Sequence, residues 1–419
     1  MPAGGDWLWR PSDAASLVAF RFLFGVTMAA AMVRLLANHW VTPLFTAPAF
    51  HFAYDGFGWV RPWPGIGMHI HVAALAVAAL GLAIGRAPRA CALIFFAGFT
   101  YLELVDKALY LNHYYLVSLL AGMLVVLPTP RAGQTLPSWV LWSLRAQVGT
   151  VYLYAGLAKV NGDWLLRAQP MRTWLAARAD LPVIGPWLEE AWLAYAASWA
   201  GAVFDLAIVP LLLWRRSRGP AFVGLVLFHL ATRALFAIGM FPVLMTVAAT
   251  LFLAPEWPRR LGLFGPARTR RATALVAARA RFVLIGAHLL VQAALPLRGL
   301  LWPGPRAWTG AGFNFAWNVM VAEKSGAVTF LAENPRTGRT TPVLPSHYLS
   351  AQQEAAMAQD PAMIAALARQ IAKDLQTPDG APVRVFADAR AALNGRPAQR
   401  LIDPTCDLAT EPPRVLPLR

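Results

Sequence analysis

Long apolar runs, broken at short intervals by arginine, proline and glycine, set the first expectation for this chain. Segments 14–36, 69–85, 90–105, 113–128, 138–158, 190–213, 219–236, 239–254 and 281–297 are dominated by Leu, Ala, Val, Phe and Trp. A helix needs about 20 largely apolar residues to cross a hydrocarbon core roughly 30 Å thick. The pattern therefore predicts a multi-span α-helical membrane protein with about 8–9 transmembrane helices. Segment 166–188, interrupted by Pro170, Pro182 and Pro186, reads instead as an interfacial loop with short helices. The first apolar run begins late, contains Arg21 and has no basic stretch before it, so an uncleaved insertion signal is expected.

Beyond Leu301 the pattern changes. Phe313, Phe315, Trp317, Val319 and Val321 alternate with Asn314, Ala316, Asn318, Met320 and Ala322, which predicts a strand. Gly326–Glu333 reads as a second strand, residues 334–338 as its turn, and 382–387 as a further strand. Asp360-Pro361 has the form of an N-cap followed by a first-turn proline. The helix it starts would carry Met363, Ile364, Leu367, Ile371 and Leu375 on one face. The expected organisation is a helical membrane domain over 1–298 and an α+β domain over 299–419, too polar to span.

Arginine placement orients these elements. Arg86 and Arg89, Arg131, Arg215 with Arg216 and Arg218, and Arg259, Arg260, Arg268, Arg270 and Arg271 lie in four loops. With nine spans those loops share one face, which the positive-inside rule makes cytoplasmic, and the α+β domain is exoplasmic. Composition agrees: 58% of the 419 residues are apolar and 14% charged, against about 25% charged in an average globular chain. That excludes an ordinary soluble globule and a disordered chain. A net charge of +16 would suggest nucleic acid on a soluble domain, but here it is explained as a topology signal. Cys91 and Cys406 are too few for a disulfide framework, and no zinc pattern, P-loop or internal repeat is present, so no metal is expected.

Charges in spanning segments are costly, so each is a candidate for function. The main ones, in or at the ends of spans, are Arg21, Arg34, Glu103, Asp106, Lys107, His113, Arg145, Lys159, Asp205, His229, Arg233 and His288. Glu103, Asp106, Lys107, His113, Lys159 and Arg233, with Met240 nearby, fall at the exoplasmic ends of their segments. The chain has four lysines, Lys107, Lys159, Lys324 and Lys373, among 37 basic residues. A desolvated ammonium can become a neutral amine, whereas arginine stays protonated, so Lys159 is a candidate base. An interfacial snorkelling lysine is the competing reading. Arg34 is expected to snorkel, Asp205 to pair with Arg21 or Arg145, and His288 to be a core histidine.

Several motifs in register resemble the vitamin K-dependent γ-carboxylases and their short bacterial homologues with an HTTM-type membrane domain. They are Asp106-Lys107, Asn112-His113, Leu144-Arg145-Ala146-Gln147, the run from Ala155 to Lys159, and Asp163-Trp164. Phe228-His229, Leu235 to Phe241 and Ala254 to Arg259 follow. Trp308-Thr309, Phe315 to Val321, Arg336-Thr337-Gly338 and Gln399 to Pro404 continue the match, so it covers nearly the whole chain.

The resemblance implies an integral membrane enzyme that uses reduced vitamin K, a naphthohydroquinone, with O2 and CO2. Epoxide formation generates the base that takes a γ-proton from a glutamyl side chain, and CO2 adds to give γ-carboxyglutamate, a peptidyl-glutamate 4-carboxylase or carbon–carbon lyase reaction. It implies Lys159 as the base and His113 as an aid to carboxylation. Asn112, Asp106, Lys107, Arg145, His229 and Met240 would support the quinone site, and Trp308, Trp317, Met320 and Lys324 would line acceptor access. The implied partners are the lipid bilayer, the quinone and a glutamyl-containing peptide. Arginine- and alanine-heavy usage and the short chain point to a bacterial inner membrane, with the α+β domain periplasmic. The sequence departs from the animal enzymes in ending soon after Pro404, so their long C-terminal region is expected to be absent. It also carries Gln352-Gln353-Glu354 in place of paired arginines, Lys324 for a further arginine and Thr232 for an asparagine. The alternatives are a naphthoquinone epoxidase with another acceptor or none, and a non-catalytic quinone- or lipid-binding membrane protein. A transporter is disfavoured by the absence of inverted repeats.

Overall fold

The computed structural model describes residues 6–266, 275–375 and 382–419; Arg268, Arg270 and Arg271 of the basic loops lie outside them. Every apolar segment is helical: Ala15–Ala37, Gly67–Ile84, Pro88–Val105, Asn112–Val126, Trp139–Lys159, Ala191–Leu213, Arg218–Leu235, Phe241–Ala249 and Leu275–Ala294. Among the described residues, five helices are long and apolar enough to cross a membrane: Ala15–Ala37, Gly67–Ile84, Pro88–Val105, Ala191–Leu213 and Ala278–Leu301. The protein is an integral membrane protein, and eight or nine spans go beyond what length and apolarity establish. Asn112–Val126 and Phe241–Phe252 are short, while Trp139–Lys159 and Arg218–Leu235 carry Arg145, Lys159, His229 and Arg233.

Two close helix contacts depend on glycine, in the way small residues let membrane helices approach. A Cβ on Gly25 would stand 2.6 Å from the Ala79 carbonyl, so Ala15–Ala37 and Gly67–Ile84 meet backbone to backbone there. A Cβ on Gly156 would stand 2.7 Å from the Leu206 side chain and 3.1 Å from its backbone nitrogen. That contact seats Trp139–Lys159 against Ala191–Leu213.

The C-terminal part holds a four-stranded antiparallel sheet in the order Thr340–Val343, Lys324–Glu333, Arg384–Leu393, Gln399–Arg400. Phe330 pairs with Ala387 in the central register, and Asn334 to Gly338 forms the turn. Helix Pro361–Asp374 starts on the Asp360 cap, whose carboxylate accepts from the nitrogens of Ala362 (2.8 Å) and Met363 (3.4 Å). Its Met363, Ile364, Leu367 and Ile371 are buried with the alternate residues Val385, Ala387, Ala389 and Ala391 of the facing strand. Leu375 lies past the helix end and is exposed, so it does not extend that face.

One expected element is absent. Residues 313–321 form turns and irregular backbone, with no strand. Phe315, Trp317 and Met320 adopt left-handed backbone with φ of 58°, 56° and 50°, which cannot continue a pleated ladder and costs on the order of 1–3 kcal/mol per residue. The apolar residues there belong to a strap whose Trp317 joins the core of the helical bundle, while Ala322, just after it, packs against the core of the sheet. Phe52, from the loop after the first helix, also joins the core of the sheet.

The two parts are also tied by polar contacts. The buried Asp106 carboxylate accepts from Gln353 Nε2 (2.5 Å), Ala108 N (2.8 Å) and Phe52 N (3.4 Å). Both Arg396 terminal nitrogens reach Asp163 at 2.7 Å, and they hold its carboxyl below the usual carboxylate range.

Candidate functional site

The helix Trp139–Lys159 ends at its lysine because Asn161 begins the next short helix: its side chain accepts from Trp164 N at 3.0 Å. The lysine is left buried at the junction. Its Nζ donates to Asp205 Oδ2 (2.8 Å), to the Val319 carbonyl (3.0 Å) and to the Ala155 carbonyl (3.3 Å). It also lies 5.2 Å from the centre of the Trp164 ring. Three acceptors for three donors make this a complete ammonium shell. The partner of Asp205 is therefore Lys159, where Arg21 or Arg145 was expected; the Gly156 contact brings the two helices close enough to pair them.

Val319 belongs to the strap, which is pinned along its length by side chains. Phe315 N donates to Tyr110 Oη at 2.8 Å, Asn112 Nδ2 donates to the Asn318 carbonyl at 3.2 Å, and Arg298 donates to the Asn314 carbonyl. The Trp317 ring stacks on Tyr115 at 5.0 Å. Neighbouring carbonyls of the strap are thus held by Asn112 on one side and Lys159 on the other.

Two of the cavities that flank it hold sequence candidates. One, of about 240 Å³, is walled by Tyr152, Ala155, Trp164, Trp174, Phe228 and Met245, with Lys159, Asp205, His229 and Thr232 as its polar members. The other, of about 590 Å³, is lined by Arg34, Glu103, Asn112, His113, Met240 and Gln352, among others. Ile238, Phe241, Val319 and Met320 line both. Phe241 stands between the two histidines, with ring centres 5.8 Å from His113 and 6.0 Å from His229. His229 is buried, meets Tyr152 Oη through Nε2 at 3.0 Å, and among the described residues its Nδ1 is buried without a protein partner.

The structure thus gathers Lys159, His229, Asn112, His113 and Met240 around the strap, which itself carries Met320. It places the other sequence candidates elsewhere. Asp106 ties the two cores, and burial pushes its carboxyl up to about 6. Lys107 forms an ion pair with Asp360 at 2.9 Å. Arg145 donates to the carbonyls of Leu251 (2.7 Å) and Leu253 (3.2 Å); it lies 14 residues before Lys159 on one helix, about 21 Å along the axis. Trp308 is in the sheet core with Nε1 on the Leu416 carbonyl at 2.7 Å. Trp317 is wholly buried and supports the strap. Lys324 Nζ donates to the carbonyls of Trp308 (2.6 Å) and Gln359 (2.5 Å), and burial pushes it down to about 8. It lines neither cavity. Of the Gln352-Gln353-Glu354 run, Gln353 is buried on Asp106 and Gln352 lines the larger cavity.

The site members that the sequence did not single out are Tyr152, Phe241, the Val319 carbonyl and Asp205 as the lysine's partner. Asp205 carried a signal, as an acid inside an apolar segment; the backbone carbonyl carried none.

Comparison with known families gives two adjoining matches. A family model described as the HTTM domain matches residues 9–257, and one described as the vitamin K-dependent gamma-carboxylase lumenal domain matches residues 277–415. No solved structure matches the chain.

Proposed function

The chain belongs to the vitamin K-dependent gamma-carboxylase family, and from that premise we propose that it is a membrane carboxylase coupling oxygenation of a reduced naphthoquinone to carboxylation of a glutamyl side chain. A carboxylase-like function follows from the family; the quinone, the epoxide and the acceptor are the proposal. One observation carries it: a buried lysine stands on the wall of an almost wholly apolar chamber with a carboxylate 2.8 Å from its amine.

The smaller cavity suits a flat, apolar, two-ring molecule. Its walls are aromatic and aliphatic, and its few polar groups lie at Lys159, His229 and Thr232. The unpartnered Nδ1 of His229 is a buried polar atom that an oxygen of such a ring would satisfy. Reduced vitamin K, when bound, supplies the hydroquinone whose oxygenation by O2 furnishes a base strong enough for a γ-proton.

The chain's own residues supply the rest. To act as a base, Lys159 Nζ must first release a proton, and Asp205 Oδ2 is the group within reach to hold it. The neutral amine can then take a proton from a hydroxyl presented in the chamber, while the Val319 and Ala155 carbonyls keep Nζ in place. Tyr152 fixes the His229 ring, leaving Nδ1 free to orient the ligand. The aromatic walls exclude water, which would otherwise quench a strong base or a carbanion. His113, on the far side of Phe241, is assigned to the carboxylation half. We assign nine spans, basic loops in the cytoplasm, and the domain after residue 298 to the periplasmic face of a bacterial inner membrane.

The test is a coupled assay on the purified protein in lipid discs, with reduced vitamin K, O2, labelled bicarbonate and a glutamyl peptide. Epoxide and fixed label together are expected. Epoxide without label would restrict the protein to quinone oxygenation, and neither product with any naphthoquinone would overturn the proposal.

A further inference from the structure

A glutamyl acceptor carries a negative charge, and the cations first suited to receive it are engaged elsewhere. Lys107 is paired with Asp360, and Lys324 is bound by two carbonyls. Lys159 is paired with Asp205, and Arg396 with Asp163. Arg34 is different. It lies in the last turn of helix Ala15–Ala37 and lines the larger cavity, and no hydrogen bond or ion pair is formed by its guanidinium among the described residues. That guanidinium sits over the Trp40 ring, 4.7 Å from its centre. An arginine resting on an aromatic face has its plane fixed while its N–H edges remain open, the form that receives a carboxylate in two parallel hydrogen bonds.

The cavity itself supports an acidic side chain. At about 590 Å³ it is more than twice the size of the lysine chamber, and it brings Arg34, Asn112, His113 and Gln352 to one space. One acid lines it, Glu103, and its carboxyl is engaged by the Ser118 hydroxyl, which also receives a hydrogen bond from Thr100 at 3.2 Å. Val319 and Met320 form the wall shared with the lysine chamber. A side chain held at Arg34 and extending towards His113 would approach that wall.

We propose that this cavity is the acceptor chamber and that Arg34 is the specificity-determining cation that receives the side-chain carboxylate of an acidic peptide. The proposal rests on the carboxylase reading and names the residue that would select its substrate. A lipid headgroup phosphate could occupy the same guanidinium, so the test separates the two sources.

The experiment measures binding, so that it does not depend on turnover. A fluorescent glutamyl peptide and its glutaminyl isostere are titrated into full-length wild-type, R34Q and R34K proteins, each in neutral-lipid and in anionic-lipid discs, with thermal unfolding as the check on folding. Wild type is expected to prefer the glutamyl peptide, and R34Q to lose about 10- to 100-fold of its affinity for it, the worth of a charge-assisted hydrogen bond. Affinity for the glutaminyl peptide should be nearly unchanged, and R34K should lie between. Equal glutamyl affinity in folded R34Q and wild type would overturn the proposal. So would a loss confined to anionic-lipid discs, which would mark a headgroup site. Should R34Q fail to fold, R34K carries the comparison, and wild-type affinity retained in R34K together with no glutamyl preference in wild type would overturn it. Epoxidation by the wild-type protein is scored separately, so failure of the carboxylase reading and failure of the Arg34 assignment give different results.

Discussion

Lys159 and Asp205 form a buried ion pair, Nζ to Oδ2 at 2.8 Å, across the contact that Gly156 makes with Leu206. A helix end, a close approach of two helices and a counter-charge are combined in that one relationship. Breaking a buried pair by removing one partner costs about 3–5 kcal/mol, because the other charge is stranded. D205N is therefore expected to lower the unfolding temperature and to reduce epoxide formation at least about ten-fold. The double variant K159M/D205L should recover the unfolding temperature without the activity. Thermal unfolding and epoxide assays on the three proteins check this; full activity in folded D205N would remove Asp205 from the account.

The same contact predicts a steric effect just behind the chamber wall. Gly156→Val puts branched carbon where a Cβ already stands 2.7 Å from the Leu206 side chain. Overpacking of this kind costs typically about 1–3 kcal/mol. The unfolding temperature should fall, and epoxide formation with it, because Lys159 and Asp205 are moved apart. An unchanged unfolding temperature would show that the helices separate freely.

His229 should affect the quinone more than the peptide. H229F keeps a ring in the wall but removes the Nδ1 offered to the ligand and strands the Tyr152 hydroxyl. The KM for reduced vitamin K is expected to rise about ten-fold, the worth of one hydrogen bond. The binding affinity for glutamyl peptide should not follow. Equal effects on both ligands would refute the division into two chambers.

Asp106 gives a pH dependence whose sign is fixed by burial. Its carboxyl is raised to about 6 in the folded protein, against about 3.9 unfolded. Between those values the folded state holds more protons, so stability falls as pH rises from about 4 to 6 and levels off above. D106N should flatten that part of the profile. Thermal unfolding of both proteins across pH 4 to 7 measures it, and identical slopes would show that burial does not raise the Asp106 carboxyl.

Much of the fold was legible because the apolar segments have one solution in lipid: every one of them is helical. The Asp360 cap and the apolar face after it were equally readable, since both are local. The number of spans was less so. Helices carrying Lys159 and His229 are diluted by polar residues, and those starting at Asn112 and Phe241 are short, so length and apolarity do not mark the elements that build the site as spans. The strap was misread because alternation of Phe315, Trp317 and Val319 looks like a pleat; its left-handed backbone and side-chain-held carbonyls arise only from tertiary contacts. Lys159 was identifiable from its rarity among the basic residues and from the resemblance. The engagement of Lys107 and Lys324 was not, because their partners lie far away in sequence or are backbone carbonyls.

The Lys159 amine is proposed to act as a base in the apolar chamber. Epoxide formation from reduced vitamin K by wild type, K159A and K159R, in the same discs and with folding checked by thermal unfolding, tests this. Wild type should form epoxide, while K159A and the permanently charged K159R should each be reduced by at least about 100-fold, within the range of general-base contributions. Epoxide formation at the wild-type rate in folded K159A or K159R would contradict it.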